Sequence, residues 1–551
     1  MNMSSTGGPS TDIDQLRNFD HLHPQLGDDG TPCAYYEALR DEAIARQRYI
    51  GWSEVHGGFW AVLGYDEYSE IARNPAAFSN TEPTFPRYGT GEALMIAGQD
   101  DPDHRFARAL VNSPFGPNGV RIYDHILRDN VNLLIDGFIA TGAADVGQLV
   151  ARPIPAILTA LLMGLPAELG PRFMRWCRAL SEGFIVDPQA AAADIAEMYA
   201  YFEDTIASRR RDGGADILAQ VINAEVDGRK FNHQELLGFC TVLMLGGIDN
   251  TKNLLGSVLW RLGWDVDLRA RLVRDSSLIP KVINEFLRYY SPAFTARLVV
   301  EDIEIAGAQI KKDQMVLLCN PIANRDPRAF EHPDSFIANR SPNRHVGLGL
   351  GVHRCLGAHL LTLEAQIVVE EFLARLPAYA LDTNRASRWW PGFVSGMGNV
   401  PIVFAPRAPR SKVLGNAERG SLAKLGTDRL KSSSGQPQSM QPPPAMTSVT
   451  LTTRDGQIHT LDCSNGVSLM ENIRAHGLHE LLALCGGNRS CGTCHVHIAE
   501  HAFKRLPLMS EDENYLLEIS AHRCRTSRLS CQLVVEADMA GLAAHIAPED
   551  V

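Results

Sequence analysis

Eleven cysteines are spread unevenly along the 551 residues of this chain. Cys485, Cys491 and Cys494 crowd together, and Cys531 follows well downstream. Four thiolates can hold a 2Fe-2S cluster, three from one loop and the fourth from a distant element. Gly486, Gly487 and Gly492 lie among the first three. A loop folded over sulfur atoms needs positive φ and bare N–H groups aimed inward, and glycine supplies both. Zinc competes for such thiolates, but its sites favour two pairs of closely spaced cysteines. Here Cys491 and Cys494 are the one such pair. Cys463 and Cys524 stand outside the pattern and read as ordinary thiols.

Cys355 has a different setting. It sits alone in a glycine-rich stretch from His345 to Ala358, directly before an apolar helix expected over Leu360 to Phe372. A thiolate there can be offered to a haem iron, with loop N–H groups and the helix N-terminus lowering its pKa. Glycine-rich turns before helices also bind phosphates. A dinucleotide site, however, needs a strand ahead of the loop and an acid about 20 residues later. No strand is read before His345. Other groups with chemical potential are Glu285 and Arg288, opposite charges on one helix face. His104 and Arg108 are two basic groups one turn apart. Gly246-Gly247-Ile248-Asp249-Asn250-Thr251 interrupts a long apolar helix.

The elements that must position these residues are mostly helical. Apolar residues recur at helical spacing over Val131–Ile139, Ala191–Arg209, His233–Trp260 and Leu278–Tyr290. Short strands are expected at Gly58–Leu63, Ala296–Ile305 and Met315–Cys319. Near the C-terminus, Ser448–Thr453 and Gln457–Leu461 alternate around Asp455-Gly456, which predicts a hairpin. A helix over Leu469–Ala475 follows. Residues 407–446 lack core periodicity and end in a Ser-, Gly-, Gln- and Pro-rich run, so they read as a flexible linker. Residues 1–19 are expected to be disordered. The chain thus divides into 20–406 and 447–551 around the linker.

Composition narrows the function. Net charge is -12, the wrong sign for a phosphate-bound nucleic-acid protein. An odd number of scattered cysteines is no secreted disulfide framework and fits reduced cytoplasmic thiols. No signal peptide is read at the N-terminus. The apolar stretch Ile154–Leu165 is shorter than the about 20 residues that span a bilayer. A cytoplasmic protein with no membrane or nucleic-acid partner is expected.

The C-terminal cysteines and Ser527-Arg528-Leu529-Ser530-Cys531-Gln532 resemble the adrenodoxin and putidaredoxin group of 2Fe-2S ferredoxins. That resemblance implies a β-grasp fold, one-electron transfer and Cys485, Cys491, Cys494 and Cys531 as cluster ligands. Glu511-Asp512-Glu513 lies where that group carries an acidic docking helix, and Ser510 is also a good cap for it. The larger block, through His345–Ala358, Glu285–Arg288, Ala323–Pro327, Phe330, Pro333, Phe336, Arg340 and Asp101–Arg108, resembles cytochrome P-450, the haem-thiolate monooxygenases. The implied fold class is multidomain. A mainly α haem-thiolate monooxygenase fold with small β-sheets precedes an α+β β-grasp ferredoxin domain.

The P-450 resemblance implies that Cys355 is the axial thiolate of a haem b, which favours O–O cleavage. His104, Arg108, Arg297 and His353 match haem-propionate partners, and Glu285, Arg288 and Arg340 match a structural brace. Gly246-Gly247 match the kink of the oxygen-binding helix. Asp249, Asn250 and Thr251 match its proton-delivery region. Phe85, Tyr88, Leu94, Leu243, Gly247, Ala293, Phe294, Phe393 and Val394 fall in segments that line the substrate pocket. Three positions depart from the family pattern. Leu348 stands where phenylalanine is usual, and Ile337 where the usual pair reads Phe-Asp. Asn250 stands where threonine is usual, with Thr251 about 100° further round the helix and expected to face elsewhere.

The expected function is a fused monooxygenase of the EC 1.14 class. Electrons from NAD(P)H would enter through a separate FAD-containing ferredoxin reductase, pass through the 2Fe-2S cluster and reach the haem. O2 would then hydroxylate, epoxidise or O-dealkylate a small-to-medium apolar substrate. No flavin or nicotinamide domain is read in the chain. The alternatives are a peroxide-driven haem-thiolate enzyme and a non-catalytic haem and iron-sulfur redox sensor.

Overall fold

The computed structural model describes residues 14–86, 94–183, 187–226, 228–410, 446–478, 480–483, 492–518, 520 and 522–548. The helices that carry the site are α1 (Asp103–Val111), α2 (Asp124–Asp136), α3 (Pro188–Asp212), α4 (His233–Trp264), α5 (Ile279–Tyr290) and α6 (Ala358–Arg375). The second domain adds α7 (Leu469–Ala475) and α8 (Glu511–Glu518). About half of the larger core comes from α1 to α6. Leu127, Val131 and Ile135 of α2 are buried, as are Ile367, Val368 and Phe372 of α6. Arg128 closes the edge of that pair on Glu370 and Glu371, at 2.7 and 2.9 Å.

α4 starts where local chemistry dictates. Asn232 accepts from the Glu235 N–H at 2.9 Å, and the Glu235 carboxylate accepts from the Asn232 N–H at 2.7 Å. The expected interruption at Gly246-Gly247 is corrected: the helix runs unbroken to Trp264. The glycines provide room rather than a break. A Cβ on Gly247 would lie 2.9 Å from Thr159 Oγ1. Burial of the helix on both sides of the pair outweighs the roughly 1 kcal/mol per glycine that helix propensity costs.

Five strands form the larger sheet: β1 (Ile50–Ser53), β2 (Phe59–Val62), β3 (Phe78–Ser79), β4 (Thr295–Val299) and β5 (Met315–Leu318). Their order is β1-β2-β5-β4-β3. β2 and β5 are parallel, with Trp60 opposite Val316. The expected strand over Ala296–Ile305 ends at Val299 and resumes separately at Ile303–Ile305. The N-terminal boundary is also corrected. Residues Asp14–Asn18 form a short helix, and Leu16 and Phe19 are buried beside Phe59 and Phe294. At the other end, Arg407 N–H donates to Ile139 O and Arg410 N–H to the Asp136 carboxylate, both at 2.9 Å. The first domain therefore continues to residue 410. At the far end of the expected linker Met446 already opens a strand of the second domain, and residues 411–445 lie outside the described residues.

Glu285 is fully buried and gathers the segments that lead to Cys355. Its carboxylate accepts from Arg288 at 2.8 and 2.9 Å, from Arg340 at 3.0 and 3.2 Å, and from Asn343 at 3.2 Å. The Ile337 N–H also donates to it at 2.8 Å, a bond that does not depend on the side chain at that position. Arg288 in turn donates to Asn324 O at 2.9 Å, and the Asn324 amide holds Val346 N–H at 2.8 Å. A buried ion pair satisfied on every side fixes geometry more than it adds stability. Here it fixes the start of the Cys355 loop.

The second domain is a five-stranded sheet: β6 (Met446–Thr452), β7 (Ile458–Ser464), β8 (His495–Ile498), β9 (Ser527–Leu529) and β10 (Leu542–Ile546). The order is β7-β6-β10-β8-β9, with β6 and β10 parallel. Gly456, at φ +85°, turns the β6–β7 hairpin. α7 packs against this sheet, and its capping box of Ser468 and Glu471 sets its start. No helix among the described residues is long and apolar enough to cross a membrane.

Candidate functional site

A cavity of about 1110 Å³ opens between α4 and the loop before α6. Cys355 lies on its wall, with Leu348, Gly349, His353 and Gly357 beside it. The loop is held by Gly349 N–H on Val346 O at 2.8 Å and Cys355 N–H on Leu348 O at 2.9 Å. Gly349 and Gly351 both take φ +72°. Gly347 is required by packing, because a Cβ there would lie 2.3 Å from Leu287 O. Burial pushes the Cys355 thiol up, while the Arg108 guanidinium and the Gly357 N–H pull it down. The expected lowering by the loop is therefore outweighed by burial, and a metal ion's charge is what makes such a sulfur a thiolate.

Basic groups converge on the same cavity. His104, Arg108, Arg297 and His353 all line it, and the His104 and His353 rings lie 3.9 Å apart. Burial lowers the His353 pKa well below its ordinary value, and the charges of His104, Arg297 and Arg108 push the same way. Arg297 is lowered to about 10 by burial, and it donates to its neighbour Ala296 O at 2.7 Å. Such a cluster calls for buried anions. A haem fits these residues: a thiol positioned for its iron, and basic groups for its two carboxylates.

Asp249, Asn250 and Thr251 all reach the cavity wall. Thr251 was expected to face away, and this is corrected: it is buried and lines the cavity. Asp249 is bound by Lys252 Nζ at 2.5 Å, one turn on. Asn250 Nδ2 points back to Gly246 O at 3.5 Å, a long and weak bond. Of the expected pocket residues, Leu94, Leu243, Gly247, Ala293, Phe294, Phe393 and Val394 line the cavity. Phe85 does not: it packs into the core 5.0 Å from Phe59. Tyr88 lies outside the described residues.

In the second domain, β8 and β9 bring Cys494 and Cys531 to one end of the sheet. His495 pairs with Leu529, and both the N–H and the hydroxyl of Ser530 donate to Cys494 O, at 2.9 and 2.8 Å. Gln532 Nε2 donates to Cys531 Sγ at 3.1 Å. Cys463 is in the core, and Cys524 is exposed on the far side of β9. Cys485 and Cys491 lie outside the described residues. Ser510 accepts from the Glu513 N–H at 3.2 Å, as a helix cap should. The expectation of an acidic docking face is corrected at Glu513, which is buried on Arg528 at 2.9 and 3.1 Å.

Residues 186–378 match the family model described as Cytochrome P450, and residues 452–536 match that of the 2Fe-2S iron-sulfur cluster binding domain. The cytochrome P450 monooxygenase PikC of Streptomyces venezuelae is 31% identical over 390 residues, 68% of this chain and 92% of that protein. The chain belongs to the cytochrome P450 family. A steroid C26-monooxygenase of Mycolicibacterium smegmatis is also 31% identical, over 69% of this chain and 94% of that protein. Among solved structures, cytochrome P450 CYP109Q5 from Chondromyces apiculatus superposes with a TM-score of 0.64 at 30% identity, covering 71% of this chain and all of that one. The protein is a haem-thiolate P450 monooxygenase fused to a 2Fe-2S ferredoxin domain.

Sequence reasoning missed two polar groups of this P450. Lys252, three residues after Asp249, was legible from its spacing. Glu364 on α6 also lines the cavity; it is buried, and its Oε1 has no hydrogen-bond partner among the described residues. Burial alone holds its carboxyl well above the ordinary carboxylate range. A carboxylate inside the apolar pattern of Ala358–Arg375 was the available signal.

Proposed function

We propose that this P450 inserts one atom of O2 into a small-to-medium apolar molecule, steroid- or terpenoid-like in size and polarity, by hydroxylation, epoxidation or O-dealkylation. Electrons come from NAD(P)H through a separate FAD-containing ferredoxin reductase and the chain's own cluster, in the cytoplasm. The observation that carries this reading is the cavity itself. Its wall is mostly apolar and runs from Cys355 past Leu243, Gly247, Ala293, Phe294 and Val394, while the basic groups His104, Arg108, Arg297 and His353 sit together beside Cys355. Further support comes from relatives: one is named a steroid C26-monooxygenase, and a 28% identical P450 of Bacillus megaterium was solved in complex with testosterone.

A bound haem b supplies the reductive activation of O2 that no side chain can perform. Cys355 ligates it, and Arg108, Arg297, His104 and His353 hold its carboxylates. Asp249 is partly neutralised by Lys252, which leaves Asn250 as the uncharged polar group next to it. An amide both donates and accepts but does not titrate, so its part is to hold a water or a substrate oxygen in line. Asn250→Ala is therefore expected to keep haem and O2 binding while diverting reducing equivalents to peroxide. Product per NAD(P)H should fall several-fold, and Asn250→Thr should keep most of the coupling. If the alanine variant couples like wild type, Asn250 only closes a helix bond to Gly246 O.

The overall reading is tested by titrating steroids and terpenoids while following the Soret band from low to high spin. Products are then assayed with NAD(P)H and a ferredoxin reductase. Binders that shift the band and are oxidised only with O2 and NAD(P)H are expected. Product formation that needs peroxide and ignores NAD(P)H would overturn it.

A further inference from the structure

We propose that the contact between the two domains is the docking pose through which the ferredoxin domain reduces the haem of its own chain. We further propose that, among the described residues, the pose is held by side-chain bonds to backbone carbonyls. The inference rests on the P450–ferredoxin reading above and names the surface it uses. Arg474 on α7 is central. Its Nη1 donates to Leu481 O at 3.2 Å and Leu482 O at 2.8 Å, within its own domain. Its Nη2 crosses to the P450 domain and donates to Ala109 O at 3.1 Å. Ala109 lies in the last turn of α1, where carbonyls lack helical partners and the dipole favours a cation.

A second bond runs the opposite way. Asn112, which directly follows α1 and is 4% exposed, donates from Nδ2 to Ala483 O at 3.3 Å. The residues held from both sides, Leu481 to Ala483, end two positions before Cys485. The connection also continues inward. Asn112 N–H donates to Arg108 O at 3.0 Å, and Arg108 Nη2 donates to Arg354 O at 2.7 Å. Arg354 is bonded to Cys355. The segment entering the cluster loop is thus joined by hydrogen bonds to the residue beside the haem ligand.

In this pose one electron, delivered to the cluster by the NAD(P)H-dependent reductase, leaves the reduced cluster and converts ferric haem iron to ferrous. No covalent bond changes and no proton moves. Both of these bonds end on carbonyls rather than carboxylates, so added salt has no ion pair to screen in either of them. Arg474 is half-buried as well, and burial lowers its pKa to about 10.

The test uses the full chain with both cofactors, as wild type, Asn112→Ala and Arg474→Ala. Hydrogen–deuterium exchange reads the contact itself, independently of turnover. Uptake over residues 103–116 should rise in both variants. Stopped-flow reduction of the haem, trapped by CO with reductase and NAD(P)H in excess, reads its use. The rate should fall by about ten-fold in Arg474→Ala, the scale of one lost hydrogen bond to a charged group, and by about three-fold in Asn112→Ala, whose lost bond joins neutral groups. Cluster and haem spectra should be unchanged. For wild type, raising salt from roughly 50 to 500 mM should change the rate less than about two-fold, since only charge pairs screen strongly.

Unchanged exchange in both variants would show that the contact is absent in solution. Raised exchange with an unchanged reduction rate would show that electrons use another pose. A rate that collapses with salt would show ionic docking. Arg474 also braces the carbonyls ahead of Cys485; if Arg474→Ala loses the cluster, Asn112→Ala decides. Wild type whose haem binds CO after dithionite but is never reduced from NAD(P)H would refute the proposed function instead.

Discussion

Cys355→Ser is expected to give a folded protein whose reduced-CO spectrum lacks the band of thiolate-ligated haem, with NAD(P)H-driven product at background. Serine preserves the volume and the N–H bond to Leu348 O. Its oxygen is a harder and weaker electron donor than sulfur, so it cannot reproduce the iron–thiolate bond that gives that band. The fold should survive, since the loop is positioned from outside the cysteine. Glu285, Arg288 and Arg340 form the brace, and Asn324 passes it on to Val346. None of these groups depends on iron. Thermal melting should therefore stay close to wild type while the spectrum changes completely. Retention of the thiolate band in the serine variant would mean that another residue binds the iron. A collapse of the fold would mean that the brace does not act as described.

Local chemistry was legible in the sequence wherever a few neighbouring residues decide the outcome. Ser468 and Glu471 cap α7, and that helix spans Leu469–Ala475 as expected. Asn232 and Glu235 likewise fix the start of α4, and Asp455-Gly456 fixes the β6–β7 hairpin. The basic residues of Asp101–Arg108 were legible for the same reason, and His104 and Arg108 line the cavity that Cys355 borders. What stayed hidden depends on distant packing. The parallel pairing of Trp60 with Val316 joins segments far apart in sequence. An aromatic such as Phe85 looks the same in sequence whether it faces core or cavity, and Phe59 decides it here. Thr251 shows the limit of helix arithmetic. A rotation of about 100° per residue separates it from Asn250, yet Asp249, Asn250 and Thr251 all border the same wide cavity. Leu16 and Phe19 were hidden for a related reason: two apolar residues in a polar stretch show no periodicity, but they find a buried site between sheet and helix.

The cluster ligands give the second large effect. Cys494→Ser or Cys531→Ser should abolish the visible absorption and paramagnetic resonance signal of the cluster and stop NAD(P)H-driven turnover. Haem content should stay near wild type, and dithionite should still generate the reduced-CO band. Cys485→Ser and Cys491→Ser are expected to behave alike. Strand geometry favours Cys531 over Cys524 as the fourth ligand. The β8–β9 register sets His495 opposite Leu529, so the residues just outside that pair, Cys494 and Ser530, meet at one end of the sheet. Ser530 is bonded to Cys494 O through both its N–H and its hydroxyl, which leaves Cys531 next in line. The Gln532 amide already donates to the Cys531 sulfur, the kind of bond that orients and tunes a metal-bound thiolate. Cys524 precedes β9 at its opposite end and is exposed. Its sulfur lies near the hydroxyls of Thr526 and Ser527, at 3.5 and 3.6 Å. At about 3.3 Å per residue, even a short strand separates the two ends by more than any iron–sulfur bond can reach. Cys524→Ser should therefore keep both cluster and turnover. A cluster that survives the loss of Cys531 but not of Cys524 would overturn this assignment. Loss of the cluster with haem reduction from NAD(P)H intact would show that electrons reach the haem without it.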